Sequence, residues 1–158
     1  MFDPAKLIIR QLGKKEKYFE DFTKLRWEVF RKPHGLGLGS EVCNGEENAQ
    51  YVGAFYDSKL IGGAFIIPRG NDFCQLHQFV LADEFRKKGI GKLLLEEIEK
   101  LAAKDNFSKI YGHARVYMKQ YYLGLGWKEI KENIPETIST KCAPGIPHFF
   151  MVKELKNE

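Results

Sequence analysis

The sequence predicts a mixed α/β (or α+β) fold, a mixed β-sheet with helices packed on it. Three observations carry that expectation. Short runs with a period of two recur along the chain, longer runs show a helical period, and they follow one another in the order β-α-loop-β-β-β-α-β-α-β-β.

Each element has its own signature. Lys6–Leu12 (KLIIRQL) alternates as a short strand. KEKYFEDFTKLRWEVFRK carries Phe19, Phe22, Leu25, Trp27, Val29 and Phe30 as a broad helical stripe, which Pro33 ends. A loose glycine-rich and polar segment follows, PHGLGLGSEVCNGEEN. AQYVGAFY and KLIGGAFIIP then meet at Asp57-Ser58, with Lys59 opening the second run, as in a β-hairpin. Phe73–Ala82 reads as a central strand. Strict alternation would put Cys74, Leu76, Gln78 and Val80 on one face and His77, Phe79 and Leu81 on the other. From Gly91, the residues Leu94, Leu95, Ile98, Leu101 and Ala102 make a helical apolar face, with Glu96, Glu97, Glu99 and Lys100 outside it. FSKIYGHA is the next strand, a short helix around Tyr117–Leu123 is stopped by Gly124 and Gly126, and WKEIKE and PHFFMVKEL close the sheet.

At 158 residues the chain can bury a core of its own, and a single domain over 1–158 is expected. Its longest apolar run, Leu60–Pro68, is too short to span a bilayer, so no membrane partner is expected. The N-terminal MFDPAKLIIRQLGKK lacks the charged-then-apolar pattern of a secretory leader. Cys43, Cys74 and Cys142 are odd in number and far apart, which favours a reducing compartment, the cytoplasm, and offers no metal pair. A net charge of +4 favours an acidic ligand slightly but falls short of a nucleic-acid footprint.

The chemistry concentrates in EFRKKGIGKLLLEEIEK, where cations and bare glycine backbone precede a good helix. A helix start leaves backbone N–H groups unpaired and carries about half a positive charge, so phosphates bind there readily. Gly89 and Gly91 remove side chains that would block approach, and Arg86, Lys87 and Lys88 add charge. Two familiar phosphate motifs fail. A P-loop register puts Arg86 at a required Gly and Leu93 at the Ser/Thr, and a dinucleotide fingerprint begun at Gly89 needs glycine where Leu94 stands.

One pattern fits: [RQ]-x-x-G-x-[GA], read as Arg86-Lys87-Lys88-Gly89-Ile90-Gly91 after a strand and at a helix start. QYYLGLGW supplies a second, Y-x-x-x-G-[FW], through Tyr122, Gly126 and Trp127. With both in order, nearly the whole chain resembles the GNAT superfamily of acetyl-CoA-dependent N-acetyltransferases. LRWEVFRKPHGLGLGSE and PHFFMVKEL are similar to segments of a small bacterial-type branch.

The resemblance implies a mostly antiparallel sheet with a splay between the fourth and fifth strands. It also implies a single acetyltransferase domain that uses acetyl-CoA without a metal. The cofactor's diphosphate would sit on Arg86, Lys87, Lys88, Gly89, Ile90, Gly91 and Lys92, and its pantetheine along Phe79 and Leu81. Tyr122 matches the tyrosine that assists the departing thiolate, and Arg115 stands where many relatives place a cofactor-contacting Asn. Gln75 and Gln78 occupy positions where some relatives carry an acidic base. The general base is left open among Glu41, His77 and His148. The implied activity is direct acetyl transfer to a primary amine of a small molecule or peptide. A non-catalytic acyl-CoA sensor and a nucleotide- or RNA-binding domain built on Arg86–Lys88 stand as alternatives. Exposed edge strands leave a homodimer open.

Overall fold

The computed structural model describes residues 1–139 and 146–155; Cys142 lies outside them. The elements are β1 (Leu7–Leu12), α1 (Tyr18–Phe30), β2 (Gln50–Tyr56), β3 (Lys59–Pro68), β4 (Phe73–Leu81), α2 (Ile90–Lys104), β5 (Lys109–Arg115), α3 (Lys119–Gly124), β6 (Lys128–Ile130) and β7 (His148–Glu154). Their order is the one the sequence predicts. Pro33 falls in a 3₁₀ turn, Lys32–His34, just beyond the end of α1. Asp57 and Ser58 both take left-handed backbone angles, φ 50° and 67°. That pair of angles suits a two-residue hairpin loop, and Tyr56 pairs with Lys59 across it.

The seven strands form one sheet in the order β1-β2-β3-β4-β5-β7-β6. Every neighbouring pair is antiparallel except β4 and β5. Those two are parallel and pair only where Phe73, Cys74 and Gln75 face Lys109, Ile110 and Tyr111; beyond that the strands part. The expected mixed sheet with its splay is therefore present. The helices cover opposite faces. On one face α2 sets Ile90, Leu94, Leu95, Ile98 and Ala102 against Val52, Ala54, Ala64 and Ile66. On the other, Phe22 of α1 packs with Tyr51, Phe55, Phe65 and Val80.

Strict alternation along β4 fails at Gln78. The β3–β4 register shifts between Gly63 and Phe65, and Gln78 takes φ 44°. One extra residue in a strand reverses the side-chain parity beyond it. Cys74 and Leu76 therefore share the α2 face with Phe79 and Leu81. His77 stacks on Phe65 at 5.6 Å, and Val80 joins it on the α1 face. The sequence reading had grouped Gln78 and Val80 with Cys74 and Leu76, and the bulge corrects it.

The bulge is held by a buried polar cluster. Gln78 Oε1 accepts from Arg26 Nε at 2.5 Å, and Gln78 Nε2 donates to the Glu41 carbonyl at 2.9 Å. Arg26 is 1% exposed. Its Nη1 and Nη2 donate to the two carboxylate oxygens of Glu46 at 2.9 and 2.7 Å, and Nη2 also reaches the Glu41 carbonyl. Tyr51 Oη and the Cys43 amide donate to the same carboxylate. The guanidinium lies 4.5 Å from the Phe65 ring centroid. Burial by itself would raise the Glu46 carboxyl, but the hydrogen bonds and charge of Arg26 prevail and hold it below its ordinary value.

Removing one partner of a buried ion pair costs about 3–5 kcal/mol, because the other charge is left without compensation. Arg26→Met should lose stability on that scale in urea unfolding at neutral pH, and adding Glu46→Gln should recover part of it. A folded-state carboxyl held low stabilises fully above its unfolded value, near 4.5, and stops doing so as acid protonates it. The wild-type advantage over Arg26→Met should therefore shrink as pH falls below that value. An advantage that is flat or growing toward acid would contradict the assignment.

Candidate active site

Where β4 and β5 part, a cleft of about 690 Å³ opens. One end is formed by the start of α2, the middle by α3 and the diverging strands, and the far end by α1 and β7.

The α2 end is built for an anion. Gly89 takes φ 78° as the residue ahead of the helix, Lys87 takes φ 62°, and α2 has no side-chain cap. Among the described residues, no backbone N–H from Lys87 to Lys92 donates to a protein group. A Cβ on Gly89 would meet nothing within 4 Å, so the turn presents bare backbone to the cleft. Gly91 is needed for a different reason. A Cβ there would lie 2.5 Å from Tyr121 Oη and 3.0 Å from Phe79 Cζ. Ile90 is buried and pins the turn, while Arg86, Lys87, Lys88 and Lys92 stay exposed around it. Such an array of free amides and cations fits a diphosphate.

Beside the turn, β4 has an unpaired edge. The Ala82 amide donates to the Ile61 carbonyl of β3 at 2.8 Å. Backbone groups alternate in direction along a strand, so those of Leu81 and Phe79 point away from β3, into the opening. The predicted pantetheine contacts thus line the cleft together with the α2 turn.

Tyr122 sits between the parted strands. It is 5% exposed and is wedged edge-on against Phe79, Tyr121 and Trp127 at ring distances of 6.3, 5.6 and 5.8 Å. Burial, and secondarily Tyr121, push its phenol above the ordinary value. Tyr122 therefore stays protonated at neutral pH.

The candidate bases fall in different surroundings. His77 lines the cleft, but its Nε2 is 3.0 Å from Arg69 Nη2, and the guanidinium has only protons to offer. The Nε2 lone pair is thus taken and the ring proton sits on Nδ1. Burial, then Arg69, His113 and Arg26, lower His77 to about 3. Glu41 is 1% exposed and lies outside the cleft lining. Its Oε1 accepts from the Gly39 amide at 2.9 Å, whereas Oε2 has no partner among the described residues. His148, on β7, lines the cleft with its ring 5.4 Å from that of His113 on β5.

Arg115 ends β5 with its guanidinium 5.7 Å from the Phe30 ring of α1, and Nη1 donates to Tyr117 Oη. It lines the α1 end of the cleft rather than joining the cluster at the α2 turn. Gln75 is structural: it accepts from Arg69 Nε and exchanges two hydrogen bonds with the Ser139 backbone.

Sequence reasoning missed Arg26, Arg69 and His113. Arg26 had a signal, since it lies four residues after Phe22 on the apolar stripe of α1, where a charge needs a buried partner. His113 and Arg69 had none; only the fold brings them to the cleft. Cys43 also lines it, with burial pushing its thiol up to about 11.

The sequence matches the family described as Acetyltransferase (GNAT) family over residues 19–126. It is 27% identical over 144 residues to the uncharacterized N-acetyltransferase YitI of Bacillus subtilis, covering 87% of this chain and 92% of that one. The fold is similar to an acetyltransferase from Streptococcus agalactiae, with a TM-score of 0.72 at 16% identity over 95% of this chain and 99% of that chain. It is also similar to an aminoglycoside 6'-N-acetyltransferase complexed with coenzyme A, with a TM-score of 0.73 at 20% identity over 96% and 98% of the two chains. This chain belongs to the GNAT acetyltransferase family.

The lowered His77 gives a direct measurement. Its imidazole NMR signals should show the Nδ1–H form and no titration from pH 5 to 8. Arg69→Ala, which removes one of the charges holding it down, should move its titration upward. A His77 that titrates near pH 6.5 in the wild type would contradict this geometry.

Proposed function

We propose that this chain is an acetyl-CoA-dependent N-acetyltransferase that acetylates a primary amine of a small molecule or peptide by direct transfer in a ternary complex. The observation that carries the reading is the continuity of one cleft from the bare amides of Lys87–Lys92, along the free edge of β4, to Tyr122. Acetyl-CoA, when bound, supplies an activated acetyl group as a thioester. The amides of Lys87–Lys92 would hold its diphosphate, with Arg86, Lys87, Lys88 and Lys92 adding charge. The backbone of Phe79 and Leu81 would pair with its pantetheine amides. The reading assumes one domain, without metal, at work in the cytoplasm.

Tyr122 would then stabilise the departing thiolate by donating a hydrogen bond. Proton transfer from an ordinary phenol to a thiolate is already uphill by roughly 2 kcal/mol. The raised Tyr122 makes it steeper, and a hydrogen bond needs no such transfer. An amine near pKa 10.4 also costs about 4.6 kcal/mol to present neutral at pH 7, so a base is useful. We assign that role to His148 with His113 beside it, because both line the cleft, His77 has its lone pair engaged and Glu41 lies outside the lining.

Isothermal titration with acetyl-CoA and with free CoA, followed by thiol release over a panel of amines, tests the reading; no binding of either would remove it. Tyr122→Phe should lower kcat at least tenfold while leaving acetyl-CoA affinity within about twofold, whereas unchanged turnover would refute its role. Gly91→Ala must displace Tyr121 from the turn and should weaken acetyl-CoA in the same titration. An affinity equal to wild type would argue against that seat.

A further inference from the structure

Resting on that transferase reading, we infer that the acceptor is a primary amine that also carries an anionic group, a carboxylate or a phosphate, received by Arg31 and Arg115 at the α1 end of the cleft. Among the described residues the cleft lining holds Arg31, Arg86, Lys87, Lys92 and Arg115 but no Asp or Glu. Arg86, Lys87 and Lys92 belong to the α2 turn, where the donor's phosphates account for them. Arg31 and Arg115 do not. They flank Phe30: Arg115 Cζ lies 5.7 Å from its ring centroid, and Arg31 Nη1 donates to its carbonyl at 3.3 Å.

Both side chains are half-buried, and neither forms an ion pair among the described residues. Three other arginines meet carboxylates, Arg10 with Glu16, Arg26 with Glu46 and Arg86 with Asp83, while Arg69 is taken up by Gln75 and His77. The hydrogen bonds these two do make leave most of their donors unused. Arg31 Nε donates to the Ser40 carbonyl, Arg115 Nη1 donates to Tyr117 Oη, and Arg31 Nη2 makes no bond to a described residue. A guanidinium partly removed from water gains most from a planar anion that takes two of its N–H groups at once. The two positive charges about one phenylalanine also repel each other until an anion joins them. The same field opposes a substrate bearing several positive charges. Phe30 and the largely exposed Tyr117 would cover the carbon skeleton between the amine and the anion.

Matched amines test the inference on the full chain. Thiol release from acetyl-CoA is measured with amino acids against the corresponding amino amides, with a phosphorylated amine against its dephosphorylated form, and with spermidine. The anionic member of a pair should show kcat/KM about tenfold or more above its neutral counterpart, the worth of one charge-assisted hydrogen bond, and spermidine should be the poorest. Whether the carboxylate or the phosphate pair shows the larger gap identifies the anion. Arg31→Gln and Arg115→Gln should each reduce that preference toward unity through KM, with acetyl-CoA affinity unchanged, and Arg31→Lys should restore part of it. A preference for neutral or polycationic acceptors overturns the inference. So does a loss of acetyl-CoA affinity in Arg115→Gln, which would give that guanidinium to the donor. Failure of acetyl-CoA to bind strikes the transferase reading instead. Equilibrium titration of the same pairs, with or without acetyl-CoA, then decides the inference: equal affinity for acid and amide overturns it, and an acid preference lost in Arg31→Gln upholds it.

Discussion

The buried Arg26 guanidinium is the constraint on which the rest of this structure turns. It joins α1, the segment carrying Glu41 and Glu46, and the bulge of β4 through Gln78. A charge this deep is costly to desolvate, and it is tolerated because a bidentate carboxylate, a carbonyl, an amide oxygen and an aromatic face all meet it. In return the cluster fixes Gln78 in a backbone conformation that non-glycine residues seldom adopt. The bulge lies just beyond the last residue of β4 that pairs with β5. It brings Phe79 and Leu81 to the α2 face with Cys74 and Leu76, and turns Val80 to the α1 face, where His77 already lies. The cleft is thus as much a product of one polar cluster as of the sheet.

Much of the fold was legible because its signals are local. The hairpin at Asp57-Ser58, the apolar stripe of α2, the stop at Pro33 and the strand-to-helix turn at Gly89 depend on near neighbours. The parity of β4 was not legible, since the bulge at Gln78 is set by an arginine far away in sequence. The site divides in the same way. Arg86–Gly91 and Tyr122 were named from motifs, and Lys92, Phe79 and Leu81 from the family resemblance those motifs carry. The histidines were not separable, because only the fold puts Arg69 against His77 and His113 against His148. At Gly91 the local reason differs from the expected one: its bare backbone makes room for Tyr121 and Phe79, while Gly89 alone of the two takes the left-handed angle.

Electrostatics separate the ends of the cleft more than shape does. At the α2 turn, free amides and exposed lysines face solvent, where salt screens them. Deeper in, burial dominates: it lowers His77 to about 3 and His113 to about 4, and it raises Tyr122. These groups are thereby kept neutral at physiological pH. Between the cations of the α2 turn and the guanidiniums of Arg31 and Arg115, the part of the cleft lined by His77, His113 and Tyr122 is then polar with neutral side chains.

Cys43 adds a chemical consequence. A thiol held near 11 is ionised in only about one molecule in ten thousand at neutral pH. Among the described residues, the cysteine in the cleft wall is therefore a poor nucleophile toward a thioester. A two-stage relay, with the group parked on the protein between donor and recipient, has no competent anchor in this cysteine.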